Sequence, residues 1–118
     1  MSSKPSLLVA GAGPAGIAAA LTAAERGVEV LVVDKATFPR DKTCGDGLTT
    51  AALRRLESLG LPSSAIDAMQ PVHDIVIVGP TGRRVALALP DDGAYATVTP
   101  RAHLDAALVK LARARGIE

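Results

Sequence analysis

The sequence Gly11-Ala12-Gly13-Pro14-Ala15-Gly16 lies between a short apolar run and a segment rich in alanine. The preceding run, 6–10, has no polar alternation, which is typical of a parallel strand buried on both faces. The following segment, 14–26, has a proline in its first turn and Gly27 at the position of a C-cap, which predicts a helix. A second apolar run, 29–34, predicts the next strand. The sequence therefore predicts a βαβ unit with a right-handed crossover, as in Rossmann-like α/β folds.

Each glycine of this hexapeptide is expected to have a different structural role. Gly11 permits a tight turn, Gly13 leaves room for a pyrophosphate near backbone N–H groups, and Gly16 lets the helix approach the strand. The helix N-terminus then offers unpaired N–H groups and a partial positive charge to an anion. Asp34 lies 18 residues after Gly16, close to the spacing of about 20 at which an acidic residue binds a ribose.

A carboxylate at the position of Asp34 repels a 2′-phosphate, so the pattern favours FAD or NAD over NADP. Small residues at Ala20 and Gly27 extend the glycine pattern along the predicted helix. The alternative is a structural glycine turn that binds no ligand. The joint occurrence of strand, turn, helix and acidic residue favours dinucleotide binding over that alternative.

The rest of the chain contains a loop, two further helices and several short strands. Residues 35–48 are predicted to form a loop of the kind that often carries function. Thr49 is a predicted N-cap, and Gly60 a predicted stop, for the helix between them. The other predicted elements are this helix at 50–59, a connector at 61–70, strands at 72–78 and 84–89 joined by a hairpin turn at 80–83, a short strand at 95–99, and a helix at 100–115 with an apolar stripe of Leu104, Ala107, Leu108 and Leu111.

Composition limits the class of protein. The 118 residues are enough for one small domain, with 48% hydrophobic and only 2% aromatic residues. The net charge of +1 has no run of like charge, so nucleic-acid partners are not expected and small-molecule partners are. Glycines interrupt the first apolar stretch well before the roughly 20 residues of a membrane span. The single cysteine, Cys44, allows no internal disulfide and indicates a reducing cytoplasm.

Two further segments resemble a family of flavoproteins. Phe38-Pro-Arg-Asp-Lys-Thr-Cys-Gly-Asp-Gly-Leu48 is similar to the FPRxKxCGxGL segment of the geranylgeranyl reductase family, within the wider group of p-hydroxybenzoate hydroxylase-like flavoproteins. Thr97-Val-Thr-Pro-Arg-Ala-His-Leu-Asp-Ala-Ala-Leu108 resembles the family's motif of an arginine that begins a helix, followed by Leu-Asp and a later leucine. The resemblance covers both ends of the chain and is less distinctive in the hairpin region. It implies that the dinucleotide is FAD.

The resemblance also implies which residues bind that cofactor. In this family the first βαβ unit holds the ADP half of FAD, and Arg101 matches an arginine that contacts the flavin. Arg40 lies in the matched loop, and both cations are expected to form charge-assisted hydrogen bonds with the phosphate and ribityl region. The expected cofactor-binding residues are Gly11, Gly13, Pro14, Ala15, Gly16, Asp34, Lys35, Arg40, Cys44, Gly45, Gly47, Leu48 and Arg101.

Several of these residues have a simpler interpretation. Arg40 is equally well explained as an exposed loop cation. Arg101 could be a solvated residue at a helix start, but the helix dipole disfavours a cation there, so a bound anion is the better explanation. Cys44 is either a redox or substrate-adjacent thiol or a small buried residue without chemistry, and the second is slightly favoured. His73 and His103 have no triad or metal-ligand spacing, so no metal is predicted and the catalytic residues are left unassigned.

The resemblance implies an FAD-dependent oxidoreductase that reduces isoprenoid C=C bonds, in a lipid or quinone side chain, with electrons from NAD(P)H. An FAD-dependent aromatic hydroxylase is the alternative within enzymes. A non-catalytic dinucleotide-binding module is the alternative outside them. The expected location is the cytoplasm, with peripheral membrane association of the full-length protein and the oligomeric state left open.

The family's second FAD motif, a Gly-Asp pair far downstream, has no counterpart in this sequence. Gly45-Asp46 has the same letters but lies in the first loop. Residues 117–118 are predicted to begin another strand. We therefore expect residues 1–118 to be the N-terminal part of an FAD-binding domain with an inserted β-hairpin region, incomplete without downstream sequence. Such a segment should expose apolar strand faces and edges.

Overall fold

The structure is a computed structural model that describes residues 4–118. All three predicted helices are confirmed, with ends that differ by at most two residues from the prediction. The helices are α1 (Pro14–Ala24), α2 (Thr50–Ser58) and α3 (Arg101–Ala114). The strands are β1 (Leu7–Ala10), β2 (Val30–Val33), β3 (Gly47–Leu48), β4 (Gln70–Pro71), β5 (Asp74–Val78), β6 (Arg84–Ala88) and β7 (Thr97–Val98), and Ser63–Ala65 form a 3-10 turn.

The first three elements form the predicted βαβ unit. β1 and β2 pair in parallel, with Leu7 opposite Val30, and α1 connects them. Gly11 follows β1 with φ +113°, a backbone conformation that side chains disfavour. A β-carbon on Gly16 would overlap the Gly11 carbonyl oxygen, well inside the 3.0 Å that real β-carbons keep from other heavy atoms. Both glycines therefore have the roles that the sequence predicts: one permits the turn and the other lets helix and strand meet.

Within residues 4–118, helices cover only one face of the parallel strands. The prediction that these strands are buried on both faces is wrong, because Leu8 and Val33 are 61% and 44% exposed. Val9 and Val32 point the other way and pack against the core. This agrees with the expected exposure of apolar strand faces. Residues 117–118 form no strand, although the Val32 N–H donates a hydrogen bond to the Glu118 carbonyl at 2.7 Å.

The core lies between α1, α3 and the inner face of the parallel strands. Ile17 and Leu21 on α1 are almost completely buried, as is Leu108 on α3. The predicted apolar stripe of α3 is confirmed, with Leu104 and Leu108 buried and Ala107 and Leu111 packed against the core. One polar side chain, Asp105, is buried beside this stripe.

A three-stranded antiparallel sheet is formed by β3, β4 and β7. β7 pairs with β3 on one side and with β4 on the other. Residues 35–48 were predicted to be a loop throughout, which is wrong at the end because Gly47 and Leu48 pair with β7. The predicted connector at 61–70 likewise contains the 3-10 turn. Thr49 caps α2 as predicted, and its side chain accepts a hydrogen bond from the Ala52 N–H at 3.3 Å.

The predicted β-hairpin is confirmed as the antiparallel pair β5–β6, in which Asp74 lies opposite Ala88 and Val78 opposite Arg84. Every residue of both strands is exposed. Apolar side chains therefore face solvent on both sides of the hairpin: Ile75, Val76, Ile77, Val78, Val85 and Leu87.

Candidate dinucleotide-binding site

Asp34 lies at the end of β2 and holds the glycine-rich loop. Its Oδ2 accepts a hydrogen bond from the Ala12 N–H at 2.8 Å, and its Oδ1 accepts one from the Ala36 N–H at 2.8 Å. Both hydrogen bonds lower the pKa of Asp34 below its usual value, and the one from Ala12 has the larger effect. The side chain is exposed, and a carboxylate has more lone pairs than these two bonds use. The predicted ribose-binding group is thus ionised, oriented and able to accept further hydrogen bonds.

The N-terminus of α1 carries unpaired backbone donors. Gly13 is the N-cap, Pro14 stands in the first turn, and no side chain caps this end. The first N–H groups and the positive end of the helix dipole are therefore available to an anion. The atoms nearest to a β-carbon placed on Gly13 are the Nη2 atoms of Arg101 and Arg40, at 3.7 and 3.9 Å. Backbone donors and two guanidinium groups thus meet at one point.

A buried carboxylate joins these two arginines. Asp105 on α3 is 0% exposed. Its Oδ2 accepts hydrogen bonds from Arg40 Nη1 at 2.6 Å and Arg101 Nη2 at 2.9 Å, and its Oδ1 accepts one from Arg101 Nε at 2.8 Å. Asp105 is the aspartate of the Leu-Asp pair in the motif at 97–108, but the sequence predicts no role for it at the site. Its four-residue distance from Arg101 on a predicted helix was a readable signal for this ion pair.

The interpretation of Arg40 and Arg101 as exposed cations is wrong, because their side chains are only 19% and 17% exposed. Arg40 also lies over the Phe38 ring, 4.7 Å from its centroid. Asp105 is the anion that pairs with Arg101, and this pairing raises the pKa of the guanidinium above its ordinary value. Two cations share one carboxylate, so the cluster beside Gly13 keeps one net positive charge.

Cys44 lies in the loop next to this cluster and is exposed, so its interpretation as a small buried residue is wrong. The backbone N–H of Asp46, followed by the Arg101 guanidinium, lowers the pKa of the Cys44 thiol. The Asp46 carbonyl accepts a hydrogen bond from the Thr99 N–H at 2.9 Å, which ties the loop to the residue after β7. The thiolate of Cys44 is therefore more available near neutral pH than that of an ordinary cysteine.

A groove of about 640 Å³ opens beside Asp34. It brings together four of the predicted site residues, and Arg40 connects it to the cluster at Gly13. The groove is lined by Ala10, Gly11, Val33, Asp34, Lys35, Ala36, Arg40, Asp41 and Lys42.

The remaining predicted site residues differ in what they offer a ligand. Residues 14–16 form the first turn of α1. Gly45 stands in open space, with no heavy atom within 4 Å of an added β-carbon. Gly47 is paired in β3, and the Leu48 side chain packs against the core, so Leu48 can offer a ligand only its backbone.

Residues 4–118 match the protein family described as "FAD binding domain". The chain belongs to this family. Its FAD-binding domain is 44% identical to "Menaquinone reductase" of Mycolicibacterium smegmatis over 107 residues, which are 89% of this chain and 26% of the relative. "Menaquinone reductase" of Mycobacterium tuberculosis is 42% identical over 112 residues, 93% of this chain and 27% of the relative. The chain thus spans about a quarter of the length of these curated relatives.

A relative with another activity also matches the FAD-binding domain. This is the "3-(3-hydroxy-phenyl)propionate/3-hydroxycinnamic acid hydroxylase" of Escherichia coli, 35% identical over 75 residues, which are 64% of this chain and 14% of the relative. Reductase and hydroxylase relatives together identify the family as one of FAD-dependent oxidoreductases.

Solved structures confirm the Rossmann-like α/β fold of the FAD-binding domain. A flavoprotein/dehydrogenase from Cytophaga hutchinsonii superposes with a TM-score of 0.80 at 28% identity, covering 98% of this chain and 29% of that one. A geranylgeranyl bacteriochlorophyll reductase-like protein from Thermoplasma acidophilum gives a TM-score of 0.76 at 27% identity, with 95% and 28% coverage. 2-Methyl-3-hydroxypyridine-5-carboxylic acid oxygenase gives 0.74 at 28% identity, with 95% and 30% coverage. The fold is thus shared with a geranylgeranyl reductase-like protein and with an oxygenase alike.

The residues at this site fit FAD. A diphosphate requires hydrogen-bond donors and positive charge, which the N-terminus of α1, Arg40 and Arg101 supply. A ribose requires an acceptor for its hydroxyls, which Asp34 supplies. In the described part of the chain, no helix is long and apolar enough to cross a bilayer, and no three side chains are grouped as metal ligands.

Proposed function

We propose that this FAD-binding domain holds the ADP portion of FAD at the N-terminus of α1. The glycine-rich loop and residues 14–16 bind the diphosphate, Arg40 and Arg101 neutralise it, and Asp34 accepts hydrogen bonds from the ribose. The observation that carries this proposal is the meeting of two guanidinium groups with an uncapped helix end at Gly13. In this proposal Lys35, in the lining of the groove, flanks the ribose, and Cys44, Gly45, Gly47 and the backbone of Leu48 lie toward the flavin.

For the full-length protein we propose a reductase that acts on isoprenoid C=C bonds in a quinone side chain, with electrons from NAD(P)H. FAD, when bound, supplies the hydride-transfer chemistry, and this chain binds and orients it. The reductase relatives support this proposal, since they are 44% and 42% identical over about nine-tenths of the chain. Menaquinone is a quinone with an isoprenoid side chain, so these relatives and the segment 38–48 indicate the same class of substrate.

An FAD-dependent aromatic hydroxylase is the second candidate. It is supported by the hydroxylase relative, at 35% identity over 64% of the chain, and by the fold of the pyridine-carboxylate oxygenase. The contacts described above serve either enzyme, because both bind the same cofactor. The oxidoreductase relatives favour both candidates over a non-catalytic dinucleotide-binding module.

The products of the full-length protein distinguish the two candidates. The purified flavoprotein is incubated with NADH or NADPH and either a menaquinone or a phenolic acid, with and without oxygen. The masses of the products are measured by mass spectrometry. We expect an anaerobic product that, after reoxidation of its quinone ring in air, is still heavier by two hydrogens, located in the isoprenoid side chain; a mass gain that disappears on reoxidation is quinol formation and would overturn C=C reduction. Strict oxygen dependence, with a product heavier by one oxygen atom when a phenolic acid is the substrate, would overturn the reductase proposal and support the hydroxylase.

We further propose that these residues are the N-terminal part of a larger FAD-binding domain that works in the cytoplasm, in peripheral contact with the membrane that carries the quinone. The NAD(P)H donor and the lipid substrate together require such a location. Cell fractionation tests it: the full-length protein should be found in the cytosol and in a salt-extractable membrane fraction. Recovery from a fraction that only detergent extracts would contradict it.

A further inference from the structure

We propose that Asp105 is a positioning residue for the FAD diphosphate, because it fixes the guanidinium groups of Arg40 and Arg101 beside Gly13 before the cofactor arrives. This inference rests on the proposed FAD site. It adds to that site a residue that does not itself touch the ligand and to which neither the glycine pattern nor the family resemblance assigns a role.

The two arginines reach Asp105 from separate parts of the chain. Arg40 lies in the loop after β2, 65 residues before Asp105, whereas Arg101 is the first residue of α3. A carboxylate that is 0% exposed is costly to bury unless its oxygens are paired, and all three hydrogen bonds here come from guanidinium groups. Arg101 donates two of them in the planar, bidentate arrangement that fixes a guanidinium most firmly.

The hydrogen bonds to Asp105 leave other donors of both arginines free for a ligand. A guanidinium has five N–H donors, of which Arg40 uses one for Asp105, while Arg101 uses two for Asp105 and a further one toward Cys44. Nη2 of Arg40 forms no hydrogen bond within residues 4–118. It lies 3.9 Å, and Nη2 of Arg101 lies 3.7 Å, from a β-carbon placed on Gly13.

Positioning of this kind strengthens binding because long side chains lose freedom when they grip an anion. Arg40 and Arg101 have already lost that freedom in the folded protein, since Asp105 holds them. The cofactor then meets an ordered set of donors and does not have to order them itself.

The negative charge of Asp105 allows a positioning role to be distinguished from a purely electrostatic one by the direction in which FAD affinity changes. A carboxylate near a diphosphate site repels the ligand, so a role of charge alone predicts that its removal tightens binding. A positioning role predicts the opposite, because free arginines adopt other rotamers. The neutral and nearly isosteric Asp105→Asn variant separates the two.

The first measurement is cofactor affinity in the full-length apoprotein, titrated with FAD, ADP and adenosine by calorimetry. We expect Asp105→Asn to weaken binding of FAD and of ADP about tenfold and to leave adenosine binding unchanged, because adenosine has no phosphate. The matched control is Asp92→Asn, an exposed carboxylate that pairs with Tyr95 away from the site. In an Arg40→Gln, Arg101→Gln background, Asp105→Asn should have no further effect on affinity.

The second measurement needs no cofactor. Arg101 is one of the groups that lower the pKa of the Cys44 thiol, after the Asp46 N–H. If Asp105 holds Arg101 in place, Asp105→Asn should shift the pH profile of Cys44 alkylation to higher pH, as read by mass spectrometry of the Cys44 peptide. A role of charge alone shifts the profile to lower pH and would overturn the proposal.

Where Asp105→Asn does not fold, Asp105→Glu decides, because glutamate keeps the charge and displaces the carboxylate by one methylene group, which breaks the bidentate pairing with Arg101. A fall in FAD affinity of about tenfold supports positioning, and unchanged affinity overturns it. A wild-type protein that binds neither FAD nor ADP overturns the proposed function itself. A wild type that binds FAD, with an Asp105→Asn variant that binds it equally well or better, overturns only the role of Asp105.

Discussion

Replacing Gly16 by alanine tests the close contact between α1 and the glycine-rich loop. An added β-carbon overlaps the Gly11 carbonyl oxygen and comes within 3.3 Å of Val9 Cγ1. The carbonyl belongs to a turn at the end of β1, so it cannot swing away as the tip of a flexible side chain would. The helix has to move instead, by about 1 Å, in a core packed as closely as an organic crystal.

Two opposing effects determine the size of this change. Alanine in a helix is favoured over glycine by roughly 0.5–1 kcal/mol. Overpacking a rigid contact costs about 1–3 kcal/mol, and more where backbone atoms overlap. The movement also disturbs the packing of Ile17 and Leu21, which are each 1% exposed. We expect Gly16→Ala to lower the free energy of unfolding by about 2 kcal/mol. FAD binding should weaken at least tenfold, which corresponds to about 1.4 kcal/mol.

The assay is urea unfolding of the full-length apoprotein followed by circular dichroism, together with an FAD titration. The control is Gly93→Ala, since an added β-carbon there has only an ordinary contact, with Tyr95 at 3.7 Å. A Gly16→Ala variant with the unfolding midpoint and FAD affinity of Gly93→Ala would refute the proposed helix–loop contact.

Three further predictions concern other parts of the site and its scaffold. Asp34→Ala should lower FAD occupancy markedly, as measured after purification and dialysis. Because the folded state lowers the pKa of Asp34, the stability that this carboxylate contributes should be fully present above its ordinary pKa of 3.8 and lost as pH falls through the lower pKa of the folded state. Acid unfolding of wild type and variant would measure that loss. Thr49→Ala should lower the free energy of unfolding by about 1 kcal/mol, and an unchanged urea midpoint would contradict the observed cap. Cys44 in the apoprotein should react with iodoacetamide at pH 7 faster than in an Arg101→Gln variant, and equal rates would show that the guanidinium does not favour the thiolate.

The local elements were predictable because their signals lie close together in the sequence. Gly11 and Gly16 are constrained by neighbours within a few residues, and Thr49 caps the helix that it begins. The hairpin at 74–88 follows from two apolar runs around a short turn. Each of these features depends on contacts that the chain makes near to itself.

The contacts that determine the charge at the site were not predictable in the same way. Arg40 meets Asp105 across 65 residues of sequence, and no local pattern specifies that partner. A polar residue next to an apolar stripe is usually exposed, so the sequence does not predict the burial of Asp105. Cys44 is exposed in a loop whose nearby Asp46 carbonyl accepts a hydrogen bond from the Thr99 N–H, a contact between distant parts of the sequence that no local pattern predicts.

The hydrogen bond from the Ala12 N–H to Asp34 makes one carboxylate responsible for two tasks. The group that would distinguish a plain ribose from a phosphorylated one also keeps the glycine-rich loop in shape. A designer who replaces Asp34 so that the site admits a 2′-phosphate therefore also releases the loop that receives the diphosphate. Evolution faces the same obstacle, because any route to a different nucleotide preference passes through a variant with a loosened loop unless a second substitution restrains Ala12 first.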